Sequence, residues 1–161
     1  MILICYDGSE DAKAAISRAG ELIKGEPATV LCVWEPFVEV LTRSSFGVAM
    51  FPPEGVDIDA IDASNEKEAR RRAEEGAEHA VSAGFAAKPS TRARETTTAD
   101  AVLAEAQDIG AHAIVVGTRG LTGVRHVLLG SVSHAVLQES DLPVIVVPSA
   151  EVAAARAARR A

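Results

Sequence analysis

The stretch HAIVVGTRGLTGVRHVLLGS, residues 112 to 131, decides how the chain is read. Its first part, HAIVVGT (112–118), is a short apolar run without polar alternation, the pattern of a strand buried on both faces. It passes into a glycine-spaced segment, GTRGLTGVRHVLLGS (117–131), that holds two arginines and no acid. A plain connection needs none of that. Ser131 to about Ser140 then reads as a helix, and PVIVVP (143–148) as another buried strand.

The same alternation extends outward to both ends. ILICYD (2–7) is a buried strand, and Ser9-Glu10-Asp11 opens a helix whose Ala12, Ala15, Ile16, Ala19, Leu22 and Ile23 share one face. Gly25 and Pro27 stop it, and ATVLCVW (28–34) is the next buried strand. A helix is predicted over 64–84, with Ser64 as N-cap, Ala69, Ala73, Ala77, Ala80 and Val81 inward, and Gly84 as its end. KPSTRARE (88–95) is a polar strand, and its Pro89 belongs on a sheet edge. A further helix over about 98–110 turns Val102, Leu103, Ala106 and Ile109 inward. Five strands alternating with four helices predict an α/β fold, a doubly wound parallel sheet sandwiched by helices. Two segments stand apart. Residues 35–62 read as a long apolar connection, lying over the domain or a partner subunit, or partly disordered. The Ala/Arg-rich tail 149–161 reads as frayed or loosely ordered.

A chain of 161 residues fits one domain, taken as 1–148 with the tail beyond it. Aromatics are only 4%, against 48% hydrophobic residues overall, so the core must be aliphatic. The net charge of -7 and pI near 5.1 argue against broad nucleic-acid binding, which needs a basic face. Arg70-Arg71-Arg72 is flanked by acids and reads as a solvated helix face. Cys5 and Cys32 sit in apolar strands and read as structural free thiols. No signal peptide or membrane span of ~20 apolar residues is recognisable, so the cytoplasm is expected.

In such sheets ligands bind beyond the carboxyl ends of the strands, where the winding reverses. Asp7 and Gly117 both fall there. Gly117 lets a ligand approach the backbone, Gly120 can turn the chain, and Gly130-Ser131 stands at the mouth of the next helix. The first N–H groups of a helix lack internal partners and carry the positive end of its dipole. With hydroxyls of Ser131 and Ser133 and the charges of Arg119 and Arg125, this is a cradle for an anion, and phosphate is the anion expected. The alternative is that the glycines only make turns. The Gly-Lys-Ser/Thr of a Walker A loop is missing. His126 and His134 have no evident positioning partner, so designed catalysis is not expected.

The spacing G-x2-G-x9-G-S, matched by Gly117, Gly120, Gly130 and Ser131, resembles the nucleotide-binding pattern of the universal stress protein family. Tyr6-Asp7-Gly8-Ser9, GSVSHAVLQ (130–138) and PVIVVP extend the resemblance over residues 2 to about 148. It implies an adenine-nucleotide alpha-hydrolase-like sheet of order 3-2-1-4-5 that binds ATP, with Mg2+ on the phosphates. It further implies that Asp7 holds the ribose, that Val33 lies against adenine, and that Gly117 and Gly120 wrap ribose and phosphates. Gly130, Ser131, Val132 and Ser133 would then offer amides and hydroxyls to the phosphates. Arg119 joins this set on charge and proximity, not on the motif. A homodimer through the last strand, Val144 to Val147, is also implied. The leading expectation is an ATP-dependent switch or sensor in the stress response, acting on an unidentified protein partner. The alternatives are a slow ATPase or phosphoryl-transfer enzyme, and a dimeric interaction protein holding another adenine nucleotide such as cyclic AMP.

Overall fold

The computed structural model describes residues 1–44, 55–118 and 129–158. Its strands are β1 (Ile2–Cys5), β2 (Pro27–Trp34), β3 (Ala86–Ala93), β4 (Ile114–Gly117) and β5 (Val144–Val147). They form one parallel sheet in the order β3-β2-β1-β4-β5, the expected architecture. The helices are α1 (Glu10–Leu22), α2 (Phe37–Ser44), α3 (Ile58–Ser82), α4 (Thr98–Asp108), α5 (Ser131–Glu139) and α6 (Ala150–Ala158).

The unalternating strands are explained by two apolar cores. Ile2, Ile4, Val30 and Val115 pack with α1 and α3 on one face. Leu3, Leu31, Ile114 and Val116 pack with α4 and α5 on the other. Successive side chains on a strand point to opposite faces, so a sheet covered twice must be apolar at every position. Each such side chain, fully buried, contributes roughly 1.5–3 kcal/mol. Both cysteines are free. Burial, helped by the Asp7 charge, pushes the Cys5 thiol up to about 12. Burial likewise pushes the Cys32 thiol up to about 11. Neither is a reactive thiolate at neutral pH.

The elements depart from the sequence reading in four places. First, α3 begins at Ile58 rather than at Ser64, because Asp57 supplies the cap by accepting from the Ala60 amide at 3.0 Å. No glycine or proline lies between Ile58 and Ser64 to stop the helix reaching back, and Ser64 is simply exposed within it. Second, the 35–62 segment carries α2, and the Phe37 amide donates to the Asp62 carboxylate on α3 at 2.7 Å. Third, the tail forms α6. Alanine has the best helix propensity, Ser149 accepts from the Val152 amide at 3.4 Å, and Val152 is buried, so the segment is docked rather than frayed. Fourth, β3 runs two residues earlier than predicted but is the edge strand, with Pro89 beside Val30. Glu105 of α4 is buried and accepts from Ser90 at 2.7 Å and Arg92 at 2.9 Å, which fastens α4 to that edge.

Candidate functional site

The winding reverses between β1 and β4. The chain leaves β1 into α1 on one face and leaves β4 towards α5 on the other. The crevice beyond these two strand ends is where a ligand fits such a fold. On its β1 side, Asp7-Gly8-Ser9 is the turn that launches α1. The Asp7 carboxylate accepts from the Ser9 amide at 2.9 Å, and Ser9 Oγ accepts from the Ala12 amide at 3.1 Å. Gly8 has φ +86°, a conformation that side chains disfavour.

On the β4 side, Gly117 ends the strand. A Cβ there would meet the Asp11 carbonyl oxygen at 3.0 Å and the Ala12 nitrogen at 3.3 Å. Its missing side chain therefore leaves room for the first turn of α1, a packing requirement that the sequence reading did not include. The next residue, Thr118, is buried and ties three elements together. Its hydroxyl donates to the buried Asp11 carboxylate at 3.0 Å, and its carbonyl accepts from the Gly130 amide at 2.7 Å. Ser133 Oγ donates to the Gly117 carbonyl at 2.7 Å. Through the Gly130 amide, Thr118 and Gly130 are joined directly. Arg119 and Gly120, both expected at the site, lie outside the described residues.

Gly130, with φ -67° and ψ 158°, is the N-cap of α5 and has no side chain with which to cap. No acid occupies the first turn, and Ser131 is exposed. The amides of Ser131, Val132 and Ser133 have no intrahelical acceptor, as in the first turn of any helix. α4 begins otherwise. Thr97 and Asp100 form a reciprocal capping box, at 3.0 and 3.1 Å.

A cavity of about 650 Å³ lies between these helix ends. It is lined by Glu39 and Thr42 of α2, Arg94 beyond β3, Thr96 to Asp100 at the start of α4, and Ser131, Val132, Ala135 and Glu139 along α5. This volume is in the usual range for small-molecule sites, ~300–1,000 Å³. Of the expected residues, Ser131 and Val132 border it; Asp7, Val33, Gly117, Gly130 and Ser133 do not. Val33 and Val132 both pack on the apolar cluster beneath α4 and α5, so β2 and α5 share one floor. Among the described residues no cluster of three or more His, Cys, Asp or Glu could hold a metal ion.

Sequence reasoning missed Asp11, Thr118 and Arg94. A polar residue directly after an apolar strand was the signal for Thr118. Asp11 reads as an ordinary acid in a first turn, and only the folded chain brings it to Thr118. Nothing in KPSTRARE singles out Arg94.

A model described as the universal stress protein family matches residues 1–148. The chain belongs to that family. Universal stress protein YxiE of Bacillus subtilis (strain 168) is 34% identical over 146 residues, 91% of this chain and 97% of that one. A Thermus aquaticus universal stress protein, named for the QAH/OAS sulfhydrylase 3′ region, is 30% identical over 148 residues, 91% of this chain and 96% of its own. Among solved structures, the hypothetical protein MJ0577, whose biochemical function was assigned from its structure, superposes with a TM-score of 0.71 at 25% identity, covering 91% of this chain and 94% of that one. An Archaeoglobus fulgidus universal stress protein in complex with dAMP has a TM-score of 0.57 at 18% identity, covering 91% and 95%. A universal stress protein in complex with cAMP has 0.57 at 21%, covering 92% and 97%. The last two share the universal stress protein fold with this chain. Among the described residues, no helix is long and apolar enough to cross a membrane.

Proposed function

We propose that this universal stress protein binds ATP, with Mg2+ on its phosphates, and that the nucleotide sets its affinity for a protein partner in the stress response. The observation that carries this reading is the first turn of α5: three adjacent amides without intrahelical partners, no capping side chain, no acid, and a cavity alongside. The nucleotide complexes of the two structural neighbours support it.

In this reading Ser131, Val132 and Ser133 give their amides to the phosphates, and Ser131 adds its hydroxyl. Ser133 donates its own hydroxyl to Gly117, so it contributes its amide and holds α5 against β4. Asp7 reaches the ribose from the turn after β1, Val33 supports adenine from the end of β2, and Gly117, Arg119 and Gly120 enclose the phosphates. Mg2+ would neutralise phosphate charge and would be held by the nucleotide and water, since such ions need no dedicated protein cage. The role is that of a switch or sensor. β5 is an edge strand with Val144, Ile145 and Val146 partly exposed, and we assign it to pairing with a second copy. Two free thiols suit a reducing cytoplasm.

The monophosphates held by the two neighbours favour a second reading, in which the occupant is a nucleotide such as cyclic AMP. Calorimetric titration with Mg-ATP and with cyclic AMP, together with mass spectrometry of ligand released from the purified protein, separates them. Binding of ATP in preference to cyclic AMP is expected. Binding of neither overturns both readings.

A further inference from the structure

Arg94 follows the edge strand β3 and borders the same cavity as the mouth of α5. Its side chain is only 13% exposed and is paired with Glu35, just beyond β2. Its Nε is shut away from solvent and has no hydrogen-bond partner, the one such side-chain nitrogen or oxygen among the described residues. A buried donor left unmade is unfavourable, and it asks for an acceptor.

Charge restricts what that acceptor is. The Arg94–Glu35 pair is neutral in sum, and Glu39, Asp100 and Glu139 also line the cavity. Away from the first turn of α5 the lining therefore disfavours phosphate and suits a neutral ring. The first turn of α5 carries no acid and suits the anion. β3 and β4 stand three strand spacings apart in the sheet, about 14 Å. That span is comparable with the distance from base to outer phosphates in an extended nucleotide.

We propose that Arg94 is the residue that selects the base, by donating to a ring nitrogen of a purine; this rests on the nucleotide reading above. Glu35 holds the guanidinium in a resting position. A rotation about the terminal side-chain bonds carries an N–H into the cavity, where the ligand satisfies it. A planar guanidinium also stacks on a purine face, which an ammonium does less well.

The test is calorimetric titration of the full chain with ATP, with CTP, with ATP analogues in which N1, N3 or N7 is replaced by carbon, and with ribose 5′-triphosphate, which lacks a base. The unaltered protein is compared with Arg94→Lys and with the double variant Arg94→Met/Glu35→Gln, which leaves no unpaired carboxylate. One of the three analogues should bind the unaltered protein about ten- to a hundredfold more weakly than ATP. Both variants should lose about that factor for ATP and lose the preference over that analogue and over CTP. Their affinity for ribose 5′-triphosphate should not change. If Arg94→Lys keeps ATP affinity and discrimination, or if all three analogues bind like ATP, Arg94 does not read the base. Equal loss of ATP and ribose 5′-triphosphate would make Arg94 a structural residue and overturn the proposal as well. Binding of ribose 5′-triphosphate without base preference in the unaltered protein refutes this inference and leaves the α5 cradle standing; binding of no nucleotide refutes both.

Discussion

α4 and α5 both begin on the same cavity, yet the first turn of α4 closes on itself and that of α5 stays open. In α4 the Thr97 hydroxyl accepts from the Asp100 amide, and the Asp100 carboxylate accepts from the Thr97 amide. Two orphan donors are satisfied, and a negative charge already sits on the positive end of the dipole. In α5 the cap is Gly130, and Ser131, Val132 and Ser133 bring no acid. α1 resembles α4, with Ser9 as cap and Glu10 and Asp11 in its first turn. A helix N-terminus says little by itself. The contrast between a mouth capped by the protein and one without a capping side chain or acid is what the proposed phosphate site rests on.

The contrast breaks most directly at Gly130. Its backbone is ordinary extended, so aspartate can take the same conformation. Gly130→Asp gives α5 the cap and charge that α4 already has. Helix capping should improve by a few tenths of a kcal/mol, read as a small rise in Tm without ligand. ATP binding by calorimetry should fall about a hundredfold or more, as two charge-assisted bonds are lost. Stability and binding moving in opposite directions is the signature. Retained binding in a folded variant would show that the open mouth is not the cradle.

Two further variants test the frame behind the mouth. Gly117→Ala sets a Cβ against the α1 backbone near Asp11 and should destabilise by about 1–3 kcal/mol in urea unfolding. Valine there should do worse, so a loss of binding in Gly117→Val reports damage to α1 as much as to the site. Thr118→Val removes a buried hydrogen bond to Asp11 and should cost about 1–2 kcal/mol. An unchanged urea midpoint in either variant would mean that β4 and α1 are not joined as described.

β1 and β4 were legible because burial on both faces leaves them apolar at every position, as Ile2, Leu3 and Ile4 illustrate, and β3 because its proline and charges mark an edge. The open mouth of α5 was legible because a helix start without cap or acid is written in four consecutive residues, Gly130 to Ser133. What lies across the fold was not. The need for glycine at 117 comes from a helix more than a hundred residues earlier in the chain, and Thr118 finds Asp11 only once β4 lies beside β1. The start of α3 was misplaced because a serine at 64 and an aspartate at 57 are equally good caps on paper. Continuity of the helix, not cap quality, chose Asp57. The tail was misjudged because one buried side chain, Val152, is enough to dock an alanine-rich segment.

The smallest effect is the sharpest control. Thr97→Ala removes the α4 cap and should cost about 1 kcal/mol of stability. It does not open that mouth to anions, because Asp100 stays in the first turn with its charge. ATP affinity should therefore stay within about twofold, since no bond to the ligand is removed. The Tm would fall slightly where Gly130→Asp raises it, and binding would hold where Gly130→Asp weakens it about a hundredfold or more. If Thr97→Ala instead weakens ATP as severely as Gly130→Asp, the two helix ends act as one anion site. Capping could then no longer tell the finished mouth from the open one, and the assignment of the phosphates to α5 would fall with it.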